Sequence, residues 1–289
     1  MKHYWQVVRN HKRPGRFIAA RLLMATGLCN LLQIKQRGFK LRFHNSNLAH
    51  QLWIDPDARL DSLAFFRDYI KDGDRIVDVG ANVGDTVLTA SLPAGPTGHV
   101  IGIEAHPRTF AFLQDNIRLN AATNVTLIHS AVGSACGTIN ISDGRRDDMN
   151  RVGGGGIRVP MEQLDVLVSG KLPVALLKVD VEGYEKNVFE GATDLLRRTQ
   201  CVFFEVSSLH FAQFGYTTRD LLTLLVGAGF RLYRIAGPKG LQRISVKFDT
   251  AGCENLVGLR DDAEFRRRTG WIVASPGALA DASDEDLQM

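Results

Sequence analysis

Acidic residues are missing from the first 54 positions, which hold ten Lys or Arg. The chain's formal charge is +4, so the remaining residues carry 4 − 10 = −6. A basic arm of this kind suits a nucleic acid, an anionic membrane surface, an acidic partner or plain solvation. Cysteine is scarce as well. Cys29, Cys136, Cys201 and Cys253 are scattered without metal-type spacing, which argues against a zinc ribbon and predicts reduced thiols in a cytoplasmic protein. Asp180 and Glu182 could hold a divalent metal, but no complete set of ligands is present, so no metal site is assigned. Long apolar runs are absent too. The most apolar stretch, residues 17–32, is interrupted by Arg21 and Asn30 and is too short for a comfortable membrane span. No small-x-small cleavage site follows it, so it does not read as a secretory signal. It reads instead as an amphipathic helix with Phe17, Ala20, Leu23 and Leu28 on one face, packed against the domain. Peripheral membrane contact through the basic arm is the other role open to it. There is no internal repeat, and the 45% hydrophobic content of the 289 residues suffices for one large core plus extensions.

What is present concentrates in the run from Arg75 to Thr86. Ile76, Val77 and Val79 form a short β-branched run of the buried parallel type, Gly80 allows a sharp turn, and Asp85-Thr86 suits a helix start. A dinucleotide loop would read G-x-G-x-x-G. Here Asn82 takes the place of the second glycine and Asp85 that of the third, with Gly84 between them. A carboxylate there would repel a pyrophosphate, whereas a cationic, phosphate-free ligand would tolerate it. Such a ligand is S-adenosylmethionine, which carries a sulfonium, an ammonium and a ribose. Twenty positions past Gly84, the strand over residues 99–105 delivers Glu104, placed to accept hydrogen bonds from two ribose hydroxyls.

The remaining pattern alternates strands and helices. Strands are expected over residues 125–128, 137–142, 174–179, 201–206, 231–235, 244–248 and 255–259, and an extended pair over 38–52. Helices are expected over 61–70, 85–91, 107–120, 186–198 and 218–227, with a helical turn over 161–168. This predicts an α/β, Rossmann-like fold: a seven-stranded, mostly parallel sheet with helices on both faces and one antiparallel edge strand. The chain divides into a basic arm (1–37), a catalytic domain (38–260) and an extension with an acidic tail (261–289). The loop over 143–156, with four consecutive glycines at 153–156, is a candidate cover for substrate.

A second constellation lies at residues 176–191. The strand there delivers Lys178, Asp180 and Glu182 at alternating positions, and Gly183 breaks it before Glu185 opens a helix. Ligands bind outside the carboxyl ends of such strands, so Asp180 and Glu182 share a rim with Asp78 and Glu104. Glu205 ends the next strand on the same rim, and His210 follows on a loop. Carboxylates beside a lysine can orient and deprotonate a substrate hydroxyl. Lys178 also suits a plain structural ion pair.

Asp78-Val-Gly-Ala-Asn-Val-Gly84, Glu104, Leu177-Lys-Val-Asp-Val-Glu-Gly-Tyr-Glu185 and Glu190-Gly191 together resemble the FkbM family of methyltransferases. The resemblance implies a class I, S-adenosylmethionine-dependent enzyme whose acceptor is a hydroxyl on a glycan, lipid or natural product. It carries Asp78, Gly80, Asn82, Gly84 and Glu104 over as cofactor-site residues, beside the loop residues Asp85 and Thr86. Asp180 is then the first candidate for base or substrate-orienting group, with Lys178, Glu205 and His210 beside it, and Glu182 and Glu185 complete the second motif. The family often shows Thr-Leu-Asp upstream of this strand; here Gln163 precedes Leu164-Asp165. A nicotinamide-dependent oxidoreductase and a non-catalytic cofactor-binding module of the same fold are the rival readings. Methylation of nucleic-acid bases is disfavoured because no Asn-Pro-Pro-Tyr or Asp-Pro-Pro-Tyr motif is present.

Overall fold

A computed structural model describes residues 13–144, 152–153 and 155–274. Its main sheet has nine strands: β1 (Arg75–Val79), β2 (His99–Glu104), β3 (Val125–His129), β4 (Val174–Val179), β5 (Thr199–Val206), β6 (Arg231–Ile235), β7 (Gly240–Arg243), β8 (Glu254–Leu259) and β9 (Ile272–Ala274). Across the sheet they run β9-β7-β6-β8-β5-β4-β1-β2-β3. The five strands from β5 to β3 are parallel. β8 is inserted antiparallel between β5 and β6, β7 is antiparallel to β6, and β9 runs parallel to β7.

Period-two alternation explains why the central strands read as continuous apolar runs. Ile76, Leu176, Cys201 and Phe203 point into one core, which the helices Leu60–Tyr69 and Asp85–Ala94 cover. Their neighbours Val77, Leu177, Val202 and Phe204 point into a second core, covered by the helices Glu185–Glu190 and Thr218–Gly227. Both faces of the sheet are therefore buried.

Several expectations need correction. The sheet has nine strands rather than seven, and the antiparallel strand β8 is internal rather than at an edge. The last two strands at one end of the sheet, β7 and the edge strand β9, are only four and three residues long, too short to show a period. Residues 244–248, expected as a strand, follow the end of β7 as a turn region. Within 38–52 only Lys40–Arg42 is extended, paired with Gln33–Lys35. Asn47–Ile54 is a helix, begun by Ser46, whose Oγ accepts from the Ala49 N–H at 3.1 Å. Residues 157–162 form a strand, with one helical turn after it, in a separate small sheet with Ala131–Val132 and Gly137–Ile141. The helix expected over 186–198 is two, Glu185–Glu190 and Thr193–Arg197. The break falls at Gly191, where a Cβ would lie 2.1 Å from the Gly133 carbonyl oxygen. Near the N-terminus, Pro14–Thr26 is a helix that buries Phe17 and Ala20, whereas Leu28 lies beyond its end and is exposed. The acidic tail and residues 1–12 lie outside the described residues.

The helix Asp262–Thr269 and β9 return the chain to the main core. Phe265 and Trp271 are buried there against Phe65, and the Trp271 Nε1–H donates to Asp68 at 2.8 Å. Arg268 grips Asp74 with both terminal guanidinium nitrogens, at 2.6 and 3.2 Å, just before β1. Trp271→Ala should therefore lower global stability by about 3–5 kcal/mol in a denaturant titration, as for a core aromatic. A loss below about 1 kcal/mol would show that residues 262–274 are not part of the cooperative core.

Candidate active site

The carboxyl ends of β5, β4, β1 and β2 lie side by side, and each delivers a polar group to one cleft of about 440 Å³. That volume lies in the usual range for small-molecule sites. After β1 the chain turns at Gly80, whose φ is 80°. A Cβ there would sit 1.8 Å from the carbonyl oxygen of Asp180, so the loops after β1 and β4 touch backbone to backbone. Asn82 follows with φ 46°, a left-handed conformation that asparagine tolerates better than most residues. Gly84 caps the helix that starts at Asp85.

Glu104 closes one side of this loop. Its Oε2 accepts from the Asn82 N–H at 2.9 Å and its Oε1 from the His106 N–H at 2.8 Å. Burial pushes its carboxyl up to about 6, against the pull of those backbone donors. A carboxylate offers about four lone-pair sites, more than these backbone donors fill, so acceptor capacity remains for ribose hydroxyls. Around it, Asn82 Oδ1 and Thr109 Oγ1 are buried without a hydrogen-bond partner, and both residues line the cleft with Thr86. A glycine cradle, a carboxylate with spare acceptor capacity and two orphaned polar atoms fit the ribose and polar atoms of S-adenosylmethionine.

Behind the loop lies a buried charge cluster. Asp78 and Lys178 are direct neighbours in the register of β1 and β4. Lys178 Nζ reaches Asp78 Oδ1 at 2.9 Å, the Gly80 carbonyl at 3.2 Å and Asp180 Oδ2 at 3.5 Å. Burial opposes the ammonium charge, but Asp78 and Asp180 outweigh it and raise the lysine's pKa. Asp78, expected among the cofactor contacts, is therefore placed one layer behind the cleft, because its cross-strand neighbour captures it. Its Oδ2 is buried and unpartnered.

Asp85 does line the cleft, but it is not the bare carboxylate that the glycine loop implies. Arg59 Nη1 lies 3.1 Å from its Oδ2. Asp85 leads the charges that raise the Arg59 pKa against burial, followed by Asp180, Asp78 and Glu205. Sequence reasoning missed Arg59, as it did Asn47, Gln51 and Ser62, which also line the cleft from the N-terminal side. No motif or spacing links position 59 to position 85; the helix Leu60–Tyr69 packs beside the helix Asp85–Ala94 only in three dimensions.

On the other side of the loop, β4 ends at Val179, so Glu182 does not continue the strand. It sits at φ 56°, lines the cleft, and places Oε2 3.6 Å from His210 Nδ1. Asp180 and Glu205 line the cleft with it. The Glu205 carboxyl is pushed up to about 8 by burial first, then by the charges of Asp180 and Glu182. Two expectations change here. Glu185 is buried away from the cleft, and its Oε1 accepts from the N–H groups of Val181 (2.9 Å) and Gly183 (3.3 Å), shaping the loop instead of meeting substrate. His210 lies on a short helix, Ser208–Ala212, and does not line the cleft. With Glu205 and Cys253 it forms a group whose polar atoms lie within 4.8 Å of one another. In place of the usual family threonine, Gln163 donates to the Ser134 carbonyl at 2.8 Å, and Asp165 accepts from the N–H groups of Asp194 and Leu195. Of the glycine-rich loop, Val152 lines the cleft, while 145–151 and 154 lie outside the described residues.

Comparison with known proteins adds the following. The profile of the methyltransferase FkbM domain matches residues 78–232. The hexuronic acid methyltransferase AglP of Haloferax volcanii is 27% identical over 195 residues, covering 65% of this chain and 77% of that protein. Among solved structures, a putative rRNA methylase from Clostridium thermocellum overlays with a TM-score of 0.44 at 13% identity, over 68% of this chain and 92% of that one. An S-adenosylmethionine-dependent O-methyltransferase from Thermotoga maritima gives 0.40 at 15% identity, over 70% and 65%.

Two outcomes are expected from this geometry. Lys178→Met leaves two carboxylates uncompensated and should cost about 3–5 kcal/mol, read by chemical denaturation. Pairing it with Asp78→Leu should recover part of that loss. Below about pH 6 Glu104 takes up a proton and loses acceptor capacity. The calorimetric Kd for S-adenosylhomocysteine should then weaken by up to about tenfold per pH unit. Glu104→Gln should bind weakly with a flat profile, and an equally steep profile in that variant would rule Glu104 out.

Proposed function

The chain belongs to the FkbM family of methyltransferases, which depend on S-adenosylmethionine, and from that premise we propose that it methylates a hydroxyl oxygen of a sugar or related polyhydroxylated acceptor. One observation carries this reading. Asp180, Glu182 and Glu205 line the cleft from the ends of β4 and β5, while the ribose-type acceptor Glu104 stands at the end of β2. With β1 between them, the sheet order supports a cofactor half beside Glu104 and an acceptor half beside Asp180. A relative that acts on a hexuronic acid supports a sugar acceptor.

When bound, the cofactor supplies a methyl group on a positively charged sulfur, open to in-line attack by oxygen. Asp180 is the proton acceptor. Lys178 holds its carboxylate in place at 3.5 Å without donating a proton into the cleft, because Asp78 and the Gly80 carbonyl take its other hydrogens. Glu205, largely protonated at neutral pH, donates a hydrogen bond that orients the acceptor. As the acceptor oxygen takes the methyl group, the carbon–sulfur bond would break with its electron pair left on sulfur as a neutral thioether, and the hydroxyl proton passes to Asp180 and from there to solvent. Orientation of this kind can supply on the order of 7–11 kcal/mol of the barrier in favourable cases, and a placed base a further factor of about 10²–10⁴.

Labelled methyl transfer to a panel of hexoses, uronic acids and their glycosides tests the reading. The product should be an alkali-stable methyl ether; an alkali-labile ester would mean that a carboxylate is the acceptor. On the accepted substrate, Asp180→Asn should lower kcat by about 10²–10⁴ with S-adenosylhomocysteine affinity unchanged. Near-full turnover in that variant would remove Asp180 as the base.

A further inference from the structure

The helix Pro14–Thr26 rests on the domain through Phe17 and Ala20. At 100° per residue, the side away from those two carries Ala19, Leu22, Ala25 and Thr26, all exposed, while Ile18 at its edge packs against the core. A surface helix ordinarily turns charged and polar groups outward. This one turns out aliphatic groups: Leu22 is 63% exposed. The chain then leaves at Gly27 into a short 3-10 turn, Leu28–Leu31, where Leu28 is 51% and Leu31 76% exposed. Three large exposed leucines thus fall within ten residues.

Cations flank them. Arg16 and Arg21 lie on either side of the outward face, held over the rings of Trp53 and Phe17 at 5.5 and 5.6 Å. Lys35, Arg37 and Lys40 follow and are exposed. No carboxylate occurs among residues 1–54, while the rest of the chain carries a net −6.

We propose that the helix Pro14–Thr26 and the turn Leu28–Leu31 dock the enzyme on the surface of an anionic lipid bilayer. The leucines enter the boundary between headgroups and acyl chains, and the flanking arginines and lysines meet the lipid phosphates. Charge distribution selects this occupant. A second copy of the chain would bring like charges together, with no carboxylate in the segment to pair them. A nucleic acid would meet the cations but give the leucines nowhere dry. The negative remainder of the protein orients the molecule with its basic edge toward the membrane. Contact is one-sided, since no described helix is long and apolar enough to cross a membrane. The inference does not depend on the identity of the methyl acceptor.

Co-sedimentation of the full chain with vesicles tests it. Binding is expected to phosphatidylcholine vesicles containing phosphatidylglycerol, to be weak on phosphatidylcholine alone, and to fall with added salt. Leu22→Ser with Leu31→Ser should lower partitioning by about tenfold or more, and Lys35→Glu with Arg37→Glu by a similar factor. Both variants should keep the parent thermal shift with S-adenosylhomocysteine, which shows that the fold and cofactor cleft survive. No binding to anionic vesicles, or unchanged binding by the leucine variant, overturns the proposal. So does a dimer in solution that Leu22→Ser dissociates, or binding to RNA or DNA without binding to vesicles.

Discussion

A buried lysine between two carboxylates organises the carboxyl end of this sheet. Lys178 spends its donors on Asp78, Asp180 and the Gly80 carbonyl, and each of those acceptors belongs to a different part of the site's wall. An isolated ammonium in that position would be costly, so the cluster tolerates little displacement of any member. It locks the loop after β1 to the loop after β4 at the point where Gly80 already meets the Asp180 backbone without room for a Cβ. The glycine turn is therefore rigid for two independent reasons, one electrostatic and one steric.

From that lock the rest of the cleft takes its form. The turn fixes the Asn82 N–H, which holds one oxygen of Glu104, and the next turn fixes the His106 N–H, which holds the other. On the far side, Asp180 stands beside Glu182 and Glu205, and their mutual repulsion is part of what keeps Glu205 protonated well above the ordinary carboxylate range. Arg59, just before the helix Leu60–Tyr69, brings a cation into the cleft and pairs with Asp85. Strand order thus places Glu104 on one side of the cleft and Asp180, Glu182 and Glu205 on the other, with the Lys178 cluster at the boundary.

Legibility in the sequence varied with the length and environment of each element. β4, β6 and the helix Thr218–Gly227 match their expected bounds to the residue, because a six-residue buried run, a five-residue strand and a capped ten-residue helix are long enough to be marked locally. β7 and β9 were not, since three or four residues define no period and their place depends on hydrogen bonds to other strands. The helix Asn47–Ile54 replaces the extended chain expected there, and its local mark is the Ser46 cap. Glu185 opens a helix as its position after Gly183 implies, but its side chain turns inward to accept from the backbone N–H groups of Val181 and Gly183, a contact that no local pattern marks.

What the sequence by itself determined is the chemistry available: a glycine turn closed by Asn82, a strand-end acid at Glu104, and a lysine with carboxylates at alternating positions. These are local patterns, written in a few consecutive residues and set by backbone geometry. Only the tertiary structure decided which groups meet. It put Asp78 behind the cleft and Asp180 in it, gave Asp85 a cation from 26 positions upstream, and left the leucines beside Pro14–Thr26 facing outward. The reason is that pairing and burial depend on distances across the fold, and residues far apart along the chain share no local signal from which such a distance could be read.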